Sequence, residues 1–176
     1  ATPGMQYRAM EELRKAGTAA IGPLLAVLAD PNRRAEHPRV VQALARFGPD
    51  AARPLVACID AGDPALAVGA IEALTWANVH DAAIWLLAPL FAPDSDPAVR
   101  AAAEAALKKL VGPAPTAAEA AKILADRAAE YFDGKRDVRT DADDHVALWH
   151  WDPAARQCIA AHWPADIARV ILAARL

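Results

Sequence analysis

The sequence is short of the residues that build disulfide frameworks and membrane spans. Its two cysteines, Cys58 and Cys158, are too few and too far apart for a disulfide framework. Although 55% of the residues are hydrophobic, Pro, Asp or His interrupts the long apolar runs, and none approaches the ~20 residues of a membrane span. No basic segment followed by an apolar one opens the chain, so we expect no signal peptide. We therefore expect a soluble protein with reduced cysteines, in a compartment that the sequence does not specify.

The chain also lacks a strong charge of either sign. Nineteen basic and 22 acidic residues give a formal net charge of -3. Binding to phosphates requires a basic surface, and only Arg33, Arg34 and Arg39 form a basic cluster. We therefore predict that neither nucleic acid nor a membrane is a partner.

Motifs typical of enzymes and nucleotide-binding proteins are missing as well. The sequence contains no G-x-G-x-x-G, P-loop, H-E-x-x-H, C-x-x-C or G-x-S-x-G motif. We predict that the protein is not an enzyme and has no catalytic residue, metal site or cofactor.

Two small groups of polar side chains could still carry chemistry. If Trp151 pairs with Gln157 across a hairpin, His150 lies opposite Cys158, as a nucleophile and its base or as two metal ligands. The one nearby further ligand, His162, would lie about 14 Å along the strand. We therefore predict a structural role for Cys158.

The segment DADDH (141–145) is the second group, because its acidic residues alternate as in a calcium loop. The sixth position of such a loop requires glycine, and here it is Val146. Aspartates also supply the local hydrogen bonds of turns. We predict a turn.

What the chain does have is an alanine- and leucine-rich pattern that repeats at a shift of 31 residues. The repeated segments are PLLAVL (23–28), PLVACI (54–59) and WLLAPL (85–90). Asp-Pro recurs at a spacing of 33 residues. Asp63 and Asp96 are expected helix N-caps, each followed by a proline at the first helical position. Gly17, Gly48 and Gly112 suit the turns that end helices.

Each repeat contains two helical patterns, so we predict four helix pairs. Their predicted ranges are 5–16 and 18–29, 37–47 and 49–61, 64–77 and 80–91, and 97–111 and 116–133. Thr116 and Glu119 have the spacing of a capping box. The apolar faces predict burial of four matching residues, Leu55, Ile71, Leu74 and Leu86.

These helix pairs resemble HEAT-like repeats, in particular the short bacterial type related to those of phycobilisome lyases, over roughly residues 5–112. The resemblance implies an α-solenoid whose second helices line a concave surface. It implies a non-catalytic module, part of a larger protein, that binds a protein or peptide or acts as a scaffold. An enzyme on the same scaffold, similar to a chromophore lyase or a DNA glycosylase, and a structural spacer remain the alternatives.

After Gly134 the hydrophobic period changes from helical to two. Segments 135–140, 145–151 and 157–163 predict three short strands of an antiparallel meander, followed by a helix that continues to the chain end. We therefore expect a helical array over 1–134, a tail over 135–176 packed on the end of that array, and more chain beyond it. The VALWHWDP segment also resembles one in uncharacterised bacterial HEAT-repeat proteins. Because both faces of this strand are largely apolar, we predict a cap or joint, with a binding platform around Trp149 and Trp151 as the alternative.

The second helices contain the row of residues that we predict to bind the partner. These residues occupy aligned positions between the core leucines, and by the resemblance they form the groove floor. The row consists of Gly22, Ala26 and Ala29, then Arg53, Ala57 and Asp60, then Ile84, Ala88 and Phe91. Arg53, Ala57, Asp60, Ile84, Ala88 and Phe91 are the predicted contact residues. The alternative is that this row is plain surface or is covered by other parts of the chain.

Overall fold

The computed structural model describes residues 16–176, and this range is mainly helical. The helices are α1 (Ile21–Leu28), α2 (His37–Ala45), α3 (Ala52–Ile59), α4 (Pro64–Trp76), α5 (Leu87–Phe91), α6 (Pro97–Leu110), α7 (Ala117–Phe132) and α8 (Ala165–Ala174). A hairpin of β1 (His145–Asp152) and β2 (Gln157–Pro164) lies between α7 and α8. Short 3-10 helices at Gly17–Ala20, Pro31–Glu36, Gly48–Ala51 and His80–Leu86 precede α1, α2, α3 and α5.

The predicted helix pairs are confirmed for the second to fourth repeats. In the first repeat, the helix predicted at 5–16 lies almost wholly outside the described residues. The second helices of the first two repeats begin as 3-10 turns, because Pro23 and Pro54 have no N–H to donate to the preceding turn. Gly17 and Gly48, at matching positions, have φ of 56° and 57°, which only glycine adopts without strain.

Side chains cap the first helices of the later repeats as the sequence predicts. The Asp63 carboxylate accepts hydrogen bonds from the first backbone N–H groups of α4, and Asp96 does the same for α6. Thr116 and Glu119 form both hydrogen bonds of a capping box at the start of α7. These contacts fix where each helix begins along the array.

The helices stack as an α-solenoid with one continuous apolar core. Along the array α2, α4 and α6 contact one another, while α1 and α3 pack against them from the second layer. The four residues predicted to be buried are all 0% exposed: Leu55, Ile71, Leu74 and Leu86. The predicted mainly α fold, with a small antiparallel sheet and a final helix, is confirmed.

The tail has two strands, and the prediction of a third at 135–140 is wrong. The backbone N–H groups of Lys135 and Arg136 both donate to the carbonyl of Glu130, near the end of α7. They are therefore unavailable to a neighbouring strand. Val138 packs instead against a small second core, which includes Val146 and Ala165.

The tail also lies elsewhere than predicted. Helix α8 contacts α7, the last helix of the array, but the hairpin folds back across the second helices α1 and α3. At its tip the Arg156 guanidinium donates a hydrogen bond to the carbonyl of Ala29, at the end of α1. The hairpin thus covers the face of the array rather than its end.

Candidate functional site

The tail covers part of the row that we predicted to face a partner. Ala57 is only 2% exposed, because α3 contacts both strands of the hairpin. Asp60 is paired with Arg175 of α8, with 2.6 Å between the carboxylate and the guanidinium. Ala29 is 6% exposed beneath Arg156. The prediction that Ala57 faces outward is therefore wrong, and the chain's own tail covers this stretch of the second-helix face.

The remaining predicted residues stay at least partly accessible. Arg53 is exposed, Ile84 and Ala88 are half-buried, and Phe91 is 37% exposed. Ile84 packs against the main core. The accessible part of the row therefore consists of these four residues and of Gly22 and Ala26 in the first repeat, which are half-buried.

Between the array and the tail lies a cavity of about 460 Å³, which we name the roofed cleft. Its floor is formed by the second and third repeats, and its roof by residues 137–139, the first half of β1 and the end of α8. Arg53 lines the floor and Trp149 lines the roof. The structure thus brings together two residues that the sequence offered as alternative sites. Trp151, the other alternative, packs against the main core.

Three aromatic residues from different segments of the chain line the roofed cleft. Trp85 lies on the floor, Tyr131 at the end of α7 and Trp149 on β1, and all three are half-buried. The Arg175 guanidinium lies 5.4 Å from the centre of the Trp85 ring and within 3.5 Å of the Trp149 carbonyl. Arg175 therefore connects the floor of the roofed cleft to its roof.

Four further charged side chains line the roofed cleft. Arg53 and Arg139 are basic, Asp81 and Asp137 are acidic, and all four are exposed. Within the described residues none of them forms an ion pair or a side-chain hydrogen bond. The roofed cleft can therefore match both signs of charge on a ligand.

The hairpin register differs by one residue from the prediction for Cys158. Trp151 pairs with Cys158 and His150 with Ile159, so His150 and Cys158 lie on opposite faces and cannot act as a pair. The Cys158 thiol instead donates to the carbonyl of Pro54, 3.6 Å away. Its half-buried side chain packs against the main core, which agrees with the predicted structural role.

Cys158 also lies beside the second cysteine of the chain. The Cys58 thiol, on α3, is 0% exposed, and it is close enough to the Cys158 sulfur for a hydrogen bond to form when Cys158 is a thiolate. This hydrogen bond and then burial raise the pKa of Cys58. The same bond, together with the positive charge of Arg175, lowers the pKa of Cys158. Cys158 is therefore the thiol of the pair that ionises first.

The DADDH segment forms the predicted turn. The Asp141 carboxylate accepts hydrogen bonds from the backbone N–H groups of His145 and Asp143, and these bonds lower its pKa. His162 of β2 lies 3.4 Å from the same carboxylate. Asp141, one of the residues that suggested a calcium loop, therefore stabilises the turn that precedes β1.

Most residues of the roofed cleft were absent from the sequence-based predictions. One of them has a local signal: Trp85 occupies the repeat position of Pro23 and Pro54, and a tryptophan in place of a proline is a departure from the repeat. Tyr131 and Arg139 have no such signal. Tyr131 and Arg139 reach the roofed cleft only because the tail folds back over the array, and no local sequence pattern predicts that folding.

Comparisons with known proteins agree with the observed architecture. A family model described as HEAT repeats matches residues 21–108, half of the chain. No curated protein and no solved structure gives a significant match. Among the described residues, no helix combines the length and apolar character needed to cross a membrane.

Proposed function

This chain belongs to the HEAT-repeat family, and on that premise we propose that it is a non-catalytic module that binds a short protein segment in the roofed cleft. HEAT repeats are in general protein-interaction modules, and solenoids use their extended concave surfaces for this purpose. In this chain the hairpin covers part of that surface. The roofed cleft lies beneath the tail, where the second and third repeats remain accessible.

The observation that supports the proposal is the meeting of three aromatic rings and several charged side chains in one cavity. Trp85, Tyr131 and Trp149 are residue types that dominate binding energy at protein interfaces, because they bury large areas at small entropic cost. Arg53 and Arg139 supply hydrogen bonds that orient a carboxylate or a backbone carbonyl.

The size of the cavity favours a peptide segment over a folded surface. About 460 Å³ lies within the range of small-ligand sites, which is roughly 300–1,000 Å³. A few residues of an extended chain fit such a volume. Because the Arg175 guanidinium lies between the Trp85 ring and the Trp149 carbonyl, we expect the segment to bind beside this contact.

The proposal can be tested without knowing the natural partner. A display library of random peptides is selected for binding to the whole chain. The selected peptides are then titrated against Arg53→Glu and Trp149→Ala. Each substitution is expected to weaken binding about tenfold or more, as hot-spot residues do. Arg46→Glu and Trp76→Ala are the matched controls, because both residues are exposed and neither lines the cleft.

Two results would contradict this site. If peptides bind the cleft variants with wild-type affinity, the roofed cleft is not where they bind. If Phe91→Asp alone removes binding, the open part of the predicted row in the third repeat is the binding surface instead. Circular dichroism of every variant ensures that lost binding does not reflect unfolding.

A further inference from the structure

Two cysteines a hundred positions apart in the sequence meet where the hairpin contacts the array. Cys158 lies on β2, and its sulfur is 3.6 Å from the carbonyl oxygen of Pro54 on α3. In an α-helix that carbonyl points towards the residue four positions later, which is Cys58. Cys58 belongs to the main core, and Cys158 packs against the same core. The Cys158 sulfur therefore lies at the turn of α3 that leads to Cys58, and the two thiols are neighbours where the hairpin contacts the array.

We propose that Cys58 and Cys158 are a disulfide-forming pair that fastens the hairpin covalently to α3. Both thiols are free in the structure. Their separation in sequence makes the link a long-range one, from the second repeat to the tail. The existence of the bond is independent of what the cleft binds, whereas its effect on the cleft rests on the proposed function.

Thiol–disulfide exchange with a small disulfide such as oxidised glutathione supplies the oxidation. The thiolate of Cys158 attacks one sulfur of the glutathione disulfide, forming a mixed disulfide and releasing one glutathione thiolate. Cys58 then attacks the Cys158 sulfur, and its proton passes to the second glutathione, which leaves as a thiol. Two protein thiols are oxidised to one disulfide, and one glutathione disulfide is reduced to two thiols.

The two cysteines differ in accessibility and in pKa, as the order of these two exchange steps requires. Cys158 is partly accessible, and its pKa is lowered by Cys58 and by Arg175, so it carries the reactive thiolate. Cys58 is inaccessible to an external disulfide but lies next to the sulfur that it must attack. When Cys158 becomes a mixed disulfide, the negative charge that raises the pKa of Cys58 disappears.

For the proposed function, the disulfide would hold the hairpin, which forms part of the roof, against the floor of the roofed cleft. The strand β1 carries Trp149 into the roofed cleft and pairs with β2, which carries Cys158. In the reduced protein the hairpin is held by packing and hydrogen bonds alone. In the oxidised protein it is tied to the floor, so ligand entry can no longer use detachment of the hairpin.

The test incubates the whole chain with defined ratios of oxidised to reduced glutathione, then blocks remaining thiols by alkylation. The expected product is a chain lighter by two hydrogens, without a glutathione adduct, and a digest that contains a disulfide joining the Cys58 and Cys158 peptides. Because the bond closes a long loop, we expect the thermal midpoint to rise by roughly 5–15 °C. Hydrogen exchange of the hairpin amides should slow at the same time.

Two variants isolate the role of each thiol. Cys58→Ala should stop at the mixed disulfide on Cys158, since the second thiol is missing. Gln157→Cys in a Cys158→Ser background moves the thiol by one residue, to the other face of β2, and should also yield only adducts.

Adducts without an internal disulfide in the wild-type chain, across all glutathione ratios, would overturn the proposal. So would a disulfide between Cys58 and the cysteine introduced by Gln157→Cys at the wild-type rate, because the pairing would then not depend on the observed register. All of these measurements are made without a peptide ligand. Failure of the roofed cleft as a binding site would therefore leave them unchanged, and the two ideas are tested separately.

Discussion

At the scale of single residues, Arg175 makes the contacts that join the last helix to the array. Its guanidinium pairs with Asp60, lies over the ring of Trp85 and reaches the carbonyl of Trp149. The Asp60 side chain is 55% exposed, so water and salt weaken that ion pair. The cation–π contact and the hydrogen bond are better shielded, because the Arg175 side chain is 24% exposed.

We therefore predict that Arg175→Ala lowers the free energy of unfolding by about 1–2 kcal/mol, through the cation–π contact more than the ion pair. Asp60→Asn, which removes only the ion pair, should cost less than about 1 kcal/mol. Urea unfolding of both variants measures the difference. Equal losses in the two variants would show that the contact with Trp85 contributes little.

At the scale of helices, the second helix of the third repeat is the shortest α-helix in residues 16–176. α5 follows a long 3-10 segment, in which Leu86 is 0% exposed and Trp85 lines the roofed cleft. Leu86 occupies the same repeat position as Leu55, which is also fully buried. Its packing therefore fixes the register of the segment that presents Trp85.

We predict that Leu86→Ala destabilises the protein by about 2–5 kcal/mol, as core truncations that leave a cavity do. Ile123→Ala on α7 is the control, because Ile123 is 43% exposed and its truncation should change the free energy of unfolding by less than about 0.5 kcal/mol. Thermal or urea unfolding distinguishes the two. A midpoint unchanged by Leu86→Ala would mean that the aligned repeat positions do not share a buried face.

At the scale of the whole molecule, one apolar face of the hairpin packs on the array, in addition to the contact of α8 with α7. Trp151 packs against the main core, whereas Val146 and Leu148 pack into the small core with α8. The hairpin therefore sits between two apolar clusters. Loss of its inner contact should free the tail while leaving the stacked helices in place.

We predict that Trp151→Ala costs about 2–4 kcal/mol, less than for a fully buried tryptophan, because its ring is only half-buried. Hydrogen exchange should rise in β1, β2 and α8 before it rises in α4 and α6. Trp163→Ala, at a residue that is 41% exposed on β2, should leave the exchange pattern nearly unchanged. A uniform rise across the array and tail would show that they unfold as one unit.

The sequence by itself determined the repeating helical part of this protein. Helix pairs, caps and buried leucines follow from hydrophobic periodicity and from short-range chemistry, such as the Asp63 N-cap and the capping box of Thr116 and Glu119. These features involve residues a few positions apart, and the repeat presents each of them several times. The two paired strands and the last helix were predictable for the same reason, since their period and turn residues are local.

Only the tertiary structure decided where the tail lies, and with it the candidate site. The observed pairing of the two strands differs from the predicted pairing by one residue. Cys158 therefore lies on the face opposite His150 and next to Cys58. Burial of Ala57 and the closure of the roofed cleft depend on packing between segments about a hundred residues apart. The tail could have covered its apolar faces at the end of the array or on its second helices. The choice is made by the fit of Arg156, Cys158 and Arg175 to α1, α3 and Asp60, which no periodicity in the sequence encodes.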